Sequence, residues 1–122
     1  MSLSLIALFA VSVFCDVSGQ IAFKRGADRL PEFSPTAPLG FGWALVSEPL
    51  LVLGLAIYAV EFLVWTRILA QVPLNIAFPI ASLNILGIAV ASRIWLGEPM
   101  GPRQYAGAAL VTAGVALVAT AL

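Results

Sequence analysis

LSLIALFAVSVFCDVSGQIAF, residues Leu3 to Phe23, closed at once by Lys24-Arg25, is the stretch on which the reading of this chain turns. Asp16 is its only charge. The hydrocarbon core of a bilayer is about 30 Å thick, so a helix needs roughly 20 mainly apolar residues to cross it. This run meets that length. No basic region precedes it, and no small-residue cleavage site stands before Lys24, so it reads as a span rather than a secretion signal.

Working outward, three further apolar runs of spanning length follow, at residues 46–70, 74–96 and 105–122. The later links are tight: Gln71-Val72-Pro73-Leu74-Asn75, then Gly97-Glu98-Pro99-Met100-Gly101-Pro102. Short links force neighbouring spans to run antiparallel. The long link covers residues 24–45. There Pro31, Pro35, Pro38, Gly40 and Gly42 forbid a continuous helix, and Phe33, Phe41 and Trp43 suit the headgroup region. It is expected to lie along the membrane surface, with at most one short helical turn. The expected fold is an all-α membrane protein: one domain, an antiparallel bundle of four transmembrane helices at about 3–23, 46–70, 74–96 and 105–122.

Composition agrees and excludes. Of 122 residues 61% are hydrophobic and 10% charged, against about 25% charged in soluble domains. Six basic and six acidic side chains balance, leaving no basic face for nucleic acid. The lone Cys15 allows no internal disulfide, and without histidine no metal site or cofactor is expected. No nucleophile–base pair is visible, so an enzyme is not expected. Lys24, Arg25, Arg29, Arg93 and Arg103 fall on the side of the first and third loops, and only Arg67 lies toward the other. The positive-inside rule then puts those loops in the cytoplasm and both termini outside.

Polar residues inside the spans are where chemistry is expected. A carboxyl group at the centre of a spanning helix costs about 2.5–3.5 kcal/mol on insertion scales, so such groups face a cavity or a partner. Ser12, Asp16, Gly19 and Gln20 share one helical face in the first span, a polar stripe suited to an aqueous path. In the second span Glu61 is the other intramembrane acid, with Tyr58 three residues before it. Arg67, six residues on, is off the i,i+4 spacing and reads as an anchor at the interface or on a lipid phosphate. Glu61 either serves transport or bonds a neighbouring helix. The third span carries Pro79, expected to kink it, and Asn84, which reads as polar glue between helices. In the last span Gly107 and Gly114 stand a heptad apart among small residues, an assembly surface.

With these residues placed, the chain resembles the drug/metabolite transporter superfamily in its single-repeat, four-helix form. Val72-Pro73-Leu74-Asn75-Ile76-Ala77-Phe78-Pro79-Ile80, Ser82-Leu83-Asn84, Glu98-Pro99, Pro102-Arg103 and Gly107 are similar to the EamA-like subunits that flip aminoarabinose-linked polyprenyl phosphate. Trp65, Gly19-Gln20 and Lys24 fit them too. A sister branch, the small multidrug resistance exporters, is matched in part. Asp16 falls where those exporters place an essential glutamate, Tyr58 matches a substrate-contacting tyrosine, and Gly107, Leu110, Val111, Gly114 and Val115 fit their helix-four dimer motif. Their helix-three tryptophan is Ala81 here, the tyrosine before it is Phe78, and their glycine hinge is Leu83-Asn84-Ile85. Conversely, Asp16 and Glu61 depart from the flippase pattern.

The resemblance implies three alternatives. The first is a subunit of a bacterial inner-membrane flippase for a polyprenyl-phosphate-linked sugar or similar amphipathic lipid, with periplasmic termini. The second is a proton-coupled exporter of cationic small molecules, with Asp16 trading a proton for a cation. The third is a non-transporting accessory subunit. Substrate or proton binding falls to Asp16, Ser12, Gln20, Tyr58, Glu61, Trp65 and Asn84, and lipid-phosphate or interface anchoring to Arg67 and Lys24. Four helices do not easily enclose an alternating-access path, so a homo- or heterodimer with another four-helix subunit, surrounded by membrane lipid, is expected.

Overall fold

The computed structural model describes residues 2–33 and 36–121; Pro35 and Leu122 lie outside the described residues. Among the described residues every regular element is a helix: α1 (Leu3–Asp28), α2 (Pro38–Ser47), α3 (Pro49–Leu69), α4 (Leu74–Ala81), α5 (Leu83–Trp95) and α6 (Pro102–Ala119). Three stretches are long and apolar enough to cross a membrane: Leu3–Asp28, Pro49–Leu69, and α4 with α5, Leu74–Trp95. α6 has 18 residues, but Pro102-Arg103-Gln104 makes its first turn polar.

Local chemistry explains where these elements begin and end, and where they differ from the expected bounds. α1 runs five residues beyond Phe23, because nothing in Lys24-Arg25-Gly26-Ala27-Asp28 breaks a helix and Lys24 pairs with Asp28 at i,i+4. The expected surface loop holds a ten-residue helix, α2. Pro38 sits in its first turn, where a missing N–H costs nothing, so proline starts this helix instead of forbidding it. α3 starts at Pro49 rather than residue 46, since Glu48 is extended and caps it, accepting from the Leu50 N–H. α6 opens three residues early at Pro102, with the Gln104 side chain accepting from the Gly101 N–H. Gly97, with φ +69°, turns the chain between α5 and α6.

The expected kink at Pro79 is a break at Ser82, between α4 and α5. Proline gives no N–H to the helix ladder. Three residues on, the Ser82 hydroxyl and N–H both donate to the Pro79 carbonyl, closing one tight turn before α5 begins.

α1 is the centre of the assembly, packed against α3 on one side and α4 and α5 on the other; α6 packs on α4 and α5, and α2 on α3. The long helices alternate in direction. A cluster of Leu5, Phe9, Ile68, Val72, Ala77 and Ile80 joins the start of α1 to the end of α3 and the start of α4. At the opposite end the Arg25 guanidinium donates to the Trp95 carbonyl at 3.0 Å, and Arg29 pairs with Glu48 at 3.4 Å. Glycines set the closeness of α1 and α3. A Cβ at Gly54 would lie 2.8 Å from the Phe23 ring, and one at Gly26 would lie 2.8 Å from Leu51. Polarity is reversed relative to a soluble protein: Ser12 and Glu61 are buried while Leu53, Leu55, Leu63 and Leu117 point outward. That is the arrangement lipid selects, since apolar side chains lose nothing by facing hydrocarbon.

Candidate functional site

Helical spacing places the candidate residues. Ser12 and Asp16 are one turn apart on α1, and Tyr58, Glu61 and Trp65 follow the i, i+3, i+7 pattern on α3. Their faces meet across the seam between these helices. The break at Ser82 supplies the third wall, with Phe78 and Ala81 before it and Asn84 and Ile85 after it lining the same space. The result is an open-sided cavity of about 410 Å³.

Two carboxyl groups reach this cavity, each held by a neutral donor from another helix. The buried Ser12 hydroxyl donates to Glu61 Oε1 at 2.6 Å, and Asn84 Nδ2 donates to Asp16 Oδ2 at 2.9 Å. Glu61 Oε2 is buried with no hydrogen-bond partner among the described residues. Both pairs link different helices, so each carboxyl group is fixed by tertiary packing. No basic side chain lines the cavity among the described residues. Its walls are aromatic: Trp65 meets Phe78 edge-to-face at 5.9 Å, and Tyr58 and Phe62 complete them. Tyr58 is itself fixed on two sides. Its hydroxyl accepts from Gln20 Nε2 at 2.6 Å, and its ring stacks on Phe23 at 5.3 Å. Gly19 makes room for it, since a Cβ there would stand 2.8 Å from the ring. Acid groups among aromatic faces make a lining whose chemistry suits a cation.

Asp16, Tyr58, Glu61, Trp65 and Asn84 are thus brought together at one cavity, while Ser12 and Gln20 stand behind it as partners of Glu61 and Tyr58. Phe62 and Phe78 belong to the wall and were not among the expected site residues; on sequence Phe62 is one more aromatic in an apolar run, and Phe78 stands only in the resemblance, at the place of the exporters' tyrosine. Lys24 sits at the exposed end of α1, paired with Asp28. Arg67 lies at the opposite end, exposed and without an ion pair among the described residues. On α6, Gly107, Leu110 and Gly114 face outward, and a Cβ at either glycine would meet nothing within 4 Å. Val111 turns partly inward.

Apolar helices of spanning length around a part-polar cavity define a multi-pass membrane protein of the transporter class. The chain belongs to the EamA-like transporter family, whose sequence profile matches residues 3–120. Among curated proteins it is similar to the probable 4-amino-4-deoxy-L-arabinose-phosphoundecaprenol flippase subunit ArnE of Pectobacterium atrosepticum, 28% identical over 113 residues, 88% of this chain and 93% of the relative. The proteins of the same name from Shigella flexneri and Escherichia coli are 33% identical over 67 residues, 54% of this chain and 60% of theirs. No solved structure matches.

Proposed function

We propose that this chain is one subunit of an inner-membrane flippase that moves a polyprenyl-phosphate-linked sugar, or a similar amphipathic lipid with a cationic headgroup, between leaflets. One observation carries the reading: two carboxyl groups, Asp16 and Glu61, face an aromatic-walled cavity among the spans with no basic side chain beside them among the described residues. A charged headgroup crossing hydrocarbon needs such a site, and an open side lets the tail remain in lipid. The names of the relatives add an amino sugar on a polyprenyl phosphate, whose amine suits two acids.

In this reading Asp16 and Glu61 bind the headgroup or a competing proton, Ser12 and Asn84 orient them, and Tyr58, Gln20 and Trp65 form the wall. Lys24 and Arg67 anchor the two ends on lipid phosphates. α6 is the fourth span, shortened by its polar first turn. Its outward stripe of Gly107, Leu110 and Gly114, edged by Val111, meets a second four-helix subunit, a copy of this chain or a paired one. Both termini lie in the periplasm, opposite the basic end.

The test is flipping of a labelled amino-sugar polyprenyl phosphate in vesicles holding the purified subunit with its partner. Asp16→Asn and Glu61→Gln are each expected to abolish it while leaving insertion intact. The same acids favour a second reading, a proton-coupled exporter of organic cations. Export of a quaternary-ammonium dye, with no lipid flipping by the wild type, would put that reading first.

A further inference from the structure

On the other side of α1 from the candidate site runs a second, larger hollow of about 840 Å³, between α1, α5 and α6. Its walls include Ile6, Ala10 and Val13 on α1, Leu86 and Val90 on α5, and Val115 on α6. No charged residue lines it. Phe14, Val17 and Trp95 also line a smaller neighbouring hollow that continues to Arg25, so the two form one track along α1. The track does not share a lining residue with the acidic cavity. Between them α1 and α5 are in contact, where a Cβ at Gly87 would stand 2.8 Å from Val17.

Three features say what covers this track. Its cationic end is Arg25, which is exposed, meets no carboxylate among the described residues, and donates to the Trp95 carbonyl through one nitrogen. That leaves most of a guanidinium free for an anion, and the fork geometry suits a phosphate. Trp95 beside it is 63% exposed, at the level where tryptophan favours the headgroup region. The length is the third feature. From Ile6 to Arg25 along a helix is about 28 Å, close to the full hydrocarbon thickness of about 30 Å. A tail confined to one leaflet would cover about half of it.

We infer that the track between α1, α5 and α6 binds a long-chain lipid phosphate of polyprenyl type, with its phosphate on Arg25 and its chain along the apolar walls. The inference deepens the flippase reading, and rests on it for the choice of polyprenyl over another long-chain lipid. It adds a resting site for the lipid, apart from the headgroup cavity and entered from the basic end of the bundle, occupied before the headgroup moves into the cavity.

The probe is undecaprenyl phosphate, measured by native mass spectrometry on the purified full chain against undecaprenol and phosphatidylglycerol. The wild type is expected to retain the polyprenyl phosphate at least tenfold better than either. Arg25→Gln should remove the preference for phosphate over alcohol, and Arg25→Lys should restore part of it. Ala10→Trp, at an exposed position of α1, should fill the track and weaken both polyprenyl ligands about tenfold. Equal retention of phosphatidylglycerol overturns the proposal and makes the track an ordinary lipid-facing surface. Unchanged binding by Ala10→Trp overturns it too, as does loss of subunit association in that variant, which would make the track a protein interface. The measurement needs no transport. Binding without flipping would sink the flippase reading alone, and flipping by Ala10→Trp with the ligand lost would sink the resting site alone.

Discussion

The Ser12 hydroxyl of α1 and the Glu61 carboxyl of α3 meet at 2.6 Å in the interior of the bundle, and the second Glu61 oxygen has no partner among the described residues. A buried acid half-satisfied is costly for stability, and that cost is tolerated where the acid has work to do. The pair also fixes how α1 and α3 are rotated against each other, since both side chains are buried at the seam.

Ser12→Ala removes the donor and leaves both Glu61 oxygens unpaired. A loss of about 1–2 kcal/mol is expected, read as a lower thermal midpoint by tryptophan fluorescence in detergent. Adding Glu61→Leu to that variant should recover the midpoint and abolish transport. A double variant no more stable than Ser12→Ala would remove Glu61 as the source of the penalty.

Asp16→Asn keeps an oxygen for the Asn84 amide, so the α1–α5 bond survives while the charge is lost. The protein should insert and assemble with a normal midpoint but lose transport in reconstituted vesicles. Asp16→Glu should keep part of the activity, because the acid remains and its reach changes. Full transport by Asp16→Asn would leave Glu61 as the working acid.

Two glycine substitutions separate packing inside the subunit from assembly between subunits. Gly54→Ala puts a methyl group 2.8 Å from the Phe23 ring and 3.3 Å from the Gly19 carbonyl, and should destabilise the fold by about 1–3 kcal/mol. Gly107→Ala meets nothing within 4 Å and should leave the isolated subunit unchanged. Equal unfolding midpoints for the two would contradict close packing of α1 on α3 at Gly54.

Gly114→Ile places a branched side chain on the outward stripe of α6, where two backbones are expected to approach closely. The variant should insert normally, since isoleucine suits lipid, and lose its partner on mild detergent extraction. Retained association would move the interface to another face.

A reporter active only in the cytoplasm, fused after Leu122, should give no signal, because five of the six basic residues cluster at the other end of the spans. A strong signal there would reverse the orientation, and with it the side from which a lipid enters.

The sequence by itself determined the membrane class. Runs such as Leu3 to Phe23, ended by Lys24-Arg25, need no tertiary information, because span length and the cost of charge in hydrocarbon are local properties. The same reasoning marked Asp16 and Glu61 as residues that must have partners. Only the tertiary structure decided who those partners are: Ser12 for Glu61, Asn84 for Asp16, Gln20 for Tyr58. A helix of known face can still be rotated and shifted against its neighbour by a fraction of a turn. That choice is made by close contacts, such as Tyr58 over Gly19 and Phe23 over Gly54. For the same reason Phe62 and Phe78 joined the cavity only once three helices were in place, and α6 divided into an outward Gly107–Leu110–Gly114 stripe and an inward Val115. The helix at Pro38–Ser47 was hidden because proline and glycine read locally as breakers, whereas a proline in the first turn of a helix starts it at no cost.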